Sequence, residues 1–244
     1  MPFQLKSAVL SWLLCAWLLA PPAQADSLEA FHAALSEAYR PMRAAAFYLR
    51  TGNPGPASLE LDRALARWTA LTTAFEEAPP QAYSRDSAWH ETLADIAEHL
   101  EAGQAALEAG DLEQAGESLG SLRAMLSGLR RRNGVRVFSD CIDKITMGMD
   151  ALWVYRHAPP DFAAPNQVAA VRKDAVALTA QVQRCDAEAT AAVRADPQFR
   201  SQIDGMLAAL ARIDTALDKG DELLLINTLR ELRAFDRMLW LGFG

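Results

Sequence analysis

The chain repeats itself at an offset of 110 residues, and this periodicity limits its fold more than any other feature. Laying Gly110–Gly134 over Gly220–Gly244 gives identities at Gly110/Gly220, Asp111/Asp221, Leu119/Leu229, Leu129/Leu239 and Gly134/Gly244. The triplet Leu122-Arg123-Ala124 also falls on Leu232-Arg233-Ala234, so 8 of 25 positions match. Residue frequencies alone would give about two. Upstream, Leu93, Ile96, Ala97, Leu100 and Leu107 fall on Ile203, Met206, Leu207, Leu210 and Leu217, an apolar stripe at helical spacing in both copies. Asp86 falls on Asp196, and Asp196-Pro197 reads as an N-cap followed by a first-turn proline.

The repeat divides the chain into a leader, residues 1–25, and two units, residues 26–134 and 135–244. Each unit reads as four helices. In the first they are expected over Leu28–Arg50, Ala57–Glu77, Ser87–Ala109 and Leu112–Arg132. Gly52-Asn53-Pro54-Gly55-Pro56, Pro79-Pro80 and Gly110-Asp111 supply the breaks. In the second they are expected over Phe138–His157, Asn166–Ala195, Gln198–Lys219 and Glu222–Leu241. Pro41 should kink or delay the first helix. Helices of this length joined by short loops favour antiparallel bundles. The expected fold is therefore all-α, two tandem antiparallel four-helix bundles with eight helices. A solenoid of helical hairpins is the rival, but its 34-residue period is absent.

The leader has the layout of an export signal. Lys6 provides a positive start, Ala8–Ala20 is an apolar run, Pro21-Pro22 breaks it, and Ala23-Gln24-Ala25 is a small-x-small cleavage site. The run is short for a spanning helix, which takes about 20 residues. Cleavage before Asp26 leaves a product expected to be soluble, with no membrane association. It would carry 23 basic and 31 acidic residues, net −8, because Lys6 is the one charged residue removed. That balance argues against nucleic acid, which needs a basic patch.

Two cysteines remain after cleavage, and the repeat makes them interpretable. Cys141 and Cys185 fall on Phe31 and Phe75, so an aromatic pair in one unit stands where the other has a cysteine pair. The expected hairpin turns near Asp161, 20 residues after Cys141 and 24 before Cys185, which puts both at a similar height. In an oxidising compartment a disulfide follows; the alternative is two separately buried thiols. Neither cysteine has a CxxC or CxxCH context.

The alanine-rich four-helix unit with a Gly-Asp turn into its last helix resembles the cytochrome c-prime family. The segments that carry this are Ala105–Asp111 with Leu119–Leu122, and Ala216–Asp221 with Leu229–Leu232. Such a resemblance implies a periplasmic bundle and covalent haem on a CxxCH motif near the end of the last helix. The corresponding stretches, Met125–Arg130 and Phe235–Trp240, contain no cysteine or histidine, so covalent haem is excluded and no cofactor is expected. In related b-type bundles a methionine on the first helix and a histidine on the last hold haem. Met42 could serve as the first, but neither fourth helix has a histidine. The resemblance thus implies a haem-free relative.

The remaining chemistry-bearing residues are scattered. His90 and His99 are nine residues apart, not an i, i+4 ligand pair, and His32 and His157 stand alone. Met147-Gly148-Met149 offers soft copper ligands, but the two thioethers point to different sides of a helix, and Met149 aligns with Tyr39 as a core position. No ExxH pattern or nucleophile elbow is present. The ends of the units differ: Arg130-Arg131-Arg132 suits a helix C-terminus, whereas Trp240, Leu241 and Phe243 need burial. They can find it against the first unit, in a homodimer or on a protein partner. The expected function is a non-catalytic periplasmic binding or accessory module, beside a redox or metal-handling system as the resemblance implies. The alternative is a carrier of a metal, non-covalent haem or small apolar ligand in a bundle core.

Overall fold

The computed structural model describes residues 23–244; the apolar leader segment and Pro21-Pro22 lie outside the described residues. The chain is all-helical there, with helices α1 (Ala23–Arg50), α2 (Pro54–Phe75), α3 (Trp89–Glu108), α4 (Leu112–Arg132) and α5 (Ser139–Trp153). They are followed by α6 (Pro165–Glu188), α7 (Ala191–Ala195), α8 (Pro197–Lys219) and α9 (Glu222–Phe243). Helix α1 packs on α2, α2 on α3, α3 on α4 and α4 back on α1; α5, α6, α8 and α9 close a second ring the same way. Each ring surrounds its own apolar core, one built from Phe31 to Leu129 and the other from Cys141 to Leu239. The first is filled by Trp68, Trp89, Tyr83 and Phe31. Both Trp68 and Trp89 also donate their indole N–H groups, to the carbonyls of Leu93 and Glu76 at 3.2 and 3.0 Å.

The last two helices of each unit keep the repeat in register. Ala115, Ser118, Leu119, Leu122, Leu126 and Leu129 are buried on α4, as are their equivalents on α9, Leu225, Thr228, Leu229, Leu232, Asp236 and Leu239; Arg130, also buried, has the half-buried Trp240 as its equivalent. Gly110 and Gly220 end the preceding helices at φ of 80° and 62°, the left-handed region that disfavours a Cβ. Asp111 and Asp221 then cap the next helix, accepting from the N–H groups of Gln114 and Leu224 at 2.9 Å in both units.

Two expectations are corrected. The helix expected over Asn166–Ala195 is broken at Ala189-Thr190, which makes α7 a ninth helix among the described residues. Thr190 accepts from the Val193 N–H at 3.2 Å, and Arg194 donates to the carbonyls of Ala187 and Ala189 at 3.0 and 2.8 Å. Side chains thus satisfy the backbone groups that the break exposes. Of the two effects expected of Pro41, a kink or a delay, the delay does not occur: α1 runs through it from Ala23 to Arg50. The buried stripe Phe31, Leu35, Ala38, Met42, Ala45 and Leu49 continues on both sides of Pro41, so core burial outweighs the lost backbone bond.

Cys141 and Cys185 lie at disulfide distance, with Cα atoms 5.6 Å apart. Their equivalents Phe31 and Phe75 meet edge to face, with ring centroids at 5.4 Å. One structural position is thus closed by a covalent link in the second unit and by an aromatic contact in the first.

Candidate functional site

The two units present the same pair of helices to each other. Helix α1 meets α9 directly, and the repeat-equivalent approach of α4 to α5 is bridged by ion pairs. Arg123 reaches Asp143 at 2.5 Å and Arg130 reaches Asp140 at 2.6 Å, with Asp143 at 3.9 Å. Across the other approach the Arg50 guanidinium lies 5.3 Å from the Trp240 ring centroid. The seam is consequently polar, unlike the two cores that it separates.

Its charges are largely removed from water. Arg130 and Asp236 are buried. Asp236 stands where the first unit has Leu126 and accepts from the Thr146 hydroxyl at 2.7 Å and from Arg233 at 3.2 Å. Arg233 also pairs with Asp150 at 2.7 Å and lies over the Trp153 ring. Burial pushes the Asp143 and Asp236 carboxyls above their ordinary range, and the neighbouring arginines offset only part of this. Burial likewise pushes the Tyr39 hydroxyl to about 12, with Asp143 adding to the effect.

Two clefts open along the seam. The first, of about 290 Å³, lies between α1, α4, the start of α5 and the end of α9; Arg43, Arg130, Tyr39 and His32 line it beside Phe138 and Phe243. The second, of about 680 Å³, is bounded by Arg50, Arg123, Arg233, Arg237, Asp236 and Trp240. Ligand pockets commonly run from about 300 to 1,000 Å³, so the two clefts suit small molecules of different size.

Of the residues singled out from sequence, Trp240 and Phe243 line these clefts. Trp240 reaches the first unit through Arg50, whereas Phe243 packs edge to face on Phe199 of its own unit at 5.2 Å. Leu241 is half-buried. Cys141 and Cys185 sit in the second core, away from both clefts. Met149 is fully buried there while Met147 is 69 % exposed, so they do not converge on one ligand. His32 contacts the Tyr83 hydroxyl at 3.1 Å, and His99 contacts the Asp95 carbonyl at 2.8 Å. Among the described residues no group of three or more His, Cys, Asp or Glu side chains is placed to hold a metal ion. No helix there is long and apolar enough to cross a membrane.

Sequence reasoning missed most of the seam. The basic run has specific tertiary partners, Arg130 with Asp140 and Arg132 with Asp86 at 2.8 Å. The Asp86 carboxylate also accepts from Asn133 at 2.6 Å and from the Ala88 N–H at 3.0 Å. One signal was available: under the offset of 110, Arg130 falls on Trp240, and both residues lie in the seam. No protein-family model, curated protein or solved structure matches the chain.

Proposed function

We propose that this chain is an exported, non-catalytic binding module of the periplasm, and that the seam between its bundles is the ligand-bearing surface. One observation carries the reading: two clefts of ligand size lie in the seam, with walls of arginine, aromatic and aliphatic side chains and, in the second, the carboxylates Glu113, Glu117 and Asp236. Such walls hold and orient a molecule, which is what a binding site requires. His32, the histidine of the first cleft, engages the Tyr83 hydroxyl through Nε2. A cysteine pair at disulfide distance is compatible with the oxidising compartment that the leader implies.

The seam supports this reading over a carrier with its ligand inside a bundle. The first core is occupied by large side chains and the second by closely packed aliphatic and aromatic ones. On the proposed reading the bundle is a haem-free descendant of the cytochrome-like pattern, kept for binding at its flank. Purification from the native host tests it. The expected product starts at Asp26, is released by osmotic shock, shows no Soret band, and loses a small molecule on denaturation in native mass spectrometry. Cytosolic retention with an intact leader would remove the export part, and stoichiometric haem or metal would restore the core carrier.

A further inference from the structure

The first cleft contains a buried cation with an unmet hydrogen-bond donor. Arg43 is 6 % exposed, and its Nε is buried with no hydrogen-bond partner. Its guanidinium carbon lies 5.1 Å from the Tyr39 ring centroid, and the residue lines the cleft. The nearby charges are already committed: Asp143 to Arg123 and Arg130, and Asp140 to Arg130. Burying a guanidinium Nε–H without a partner is costly, and a planar fork of N–H groups is shaped to receive two oxygens of one anion.

We propose that the first cleft binds an organic monocarboxylate, its carboxylate held by Arg43 and its apolar body lying among Leu35, Leu126, Val137, Phe138 and Phe243. This deepens the seam-binding reading and rests on it. The lining selects a carboxylate carried on an apolar body. Arg43 supplies an Nε–H with no partner, and the walls around it are aliphatic and aromatic. Inorganic phosphate has the oxygens but no apolar body to place against those walls, and bringing its charge into a partly dry site is costly. The volume, about 290 Å³, equals that of about ten waters, which accommodates a carboxylate with a six- to eight-carbon body.

Calorimetric titration of the leader-free protein with octanoate, phenylacetate, octanol and inorganic phosphate tests the assignment. Octanoate or phenylacetate should bind, with octanol and phosphate at least about tenfold weaker, a difference of about 1.4 kcal/mol. Arg43→Gln should abolish the preference for the acid over the alcohol, while Arg43→Lys should retain part of it. Because Arg43 is unpaired, the unliganded Arg43→Gln protein should melt at or above the wild-type temperature. Were that variant not to fold, the same question is answered on the wild type by carboxylate-dependent protection of α1 and α9 amides from hydrogen exchange. Equal binding of octanol and octanoate, tighter binding of phosphate, or no binding of either acid overturns the assignment. A different small molecule recovered from the native protein alongside such a result would leave the seam reading standing and remove only the Arg43 site.

Discussion

His32 and Asp86 illustrate how the same fold moves two side chains in ways that act in different pH ranges. Burial, with Arg130 adding to it and Asp140 opposing, lowers the pKa of His32 below its ordinary 6.5. The folded state therefore prefers the neutral ring, and below pH 6.5 the unfolded chain takes up the proton first. Stability is full above that value and declines as pH falls beneath it. His32→Gln should flatten this decline below pH 6.5, read as the slope of denaturation midpoint against pH; an unchanged slope would place the titration elsewhere. For Asp86, burial works against ionisation, but bonds from Asn133, Ala88 and Arg132 prevail and hold the carboxyl below 3.8. Its contribution is present above 3.8 and is lost as pH falls through that lower range. Neither shift was legible in the sequence, because the side-chain partners of Asp86, Arg132 and Asn133, lie 46 and 47 residues away at the end of α4.

At the scale of helices and their connections, the repeat supplies matched pairs for comparison. Asp111 and Asp221 make equivalent cap bonds at 2.9 Å, so Asp111→Ala and Asp221→Ala should each cost about 1 kcal/mol, measured by urea unfolding. A large inequality between them would show that one turn carries tertiary strain that the other lacks. The pair formed by Cys141 and Cys185 closes a sequence separation of 44 residues. Replacing both with serine should lower stability by about 3–4 kcal/mol on the chain-entropy account, and reduction of the native protein should have a comparable effect. The offset of 110 foretold both this pairing and the Phe31–Phe75 contact, because helical hairpins of equal length bring equivalent positions to equal heights. The break at Thr190 was not legible. Ala187 to Ala195 contains no glycine or proline, and the break is stabilised by Arg194 folding back onto α6.

Over the whole molecule, the notable fact is that the two units meet through equivalent helices, α1 and α4 on one side and α5 and α9 on the other. This is the arrangement of a twofold dimer made within one chain. It has diverged in composition: Arg130 is the repeat equivalent of Trp240, and Leu126 that of Asp236, so one approach is bridged by ion pairs and the other by an indole under a guanidinium. Asp140→Ala would leave Arg130 buried without its closest partner. With Asp140 itself 23 % exposed, the cost should be about 3 kcal/mol, the lower end for breaking a buried pair. Calorimetry should then show the two bundles melting at separate temperatures, whereas a single unshifted transition would mean that the seam does not couple them.

What the sequence determined by itself was the helical class, the count of units, the register of their third and fourth helices, and the cysteine pairing. All of these follow from local periodicity and from an internal copy, and both can be read without knowing how the units meet. The tertiary structure decided the seam. Arg43 has no neighbour in the sequence that marks it as unpaired, and no motif links it to Arg130 or Phe243. Its burial arises only when α1, α4, α5 and α9 converge. A buried charge gains its meaning from what lies around it in space, and spacing along the chain does not record that.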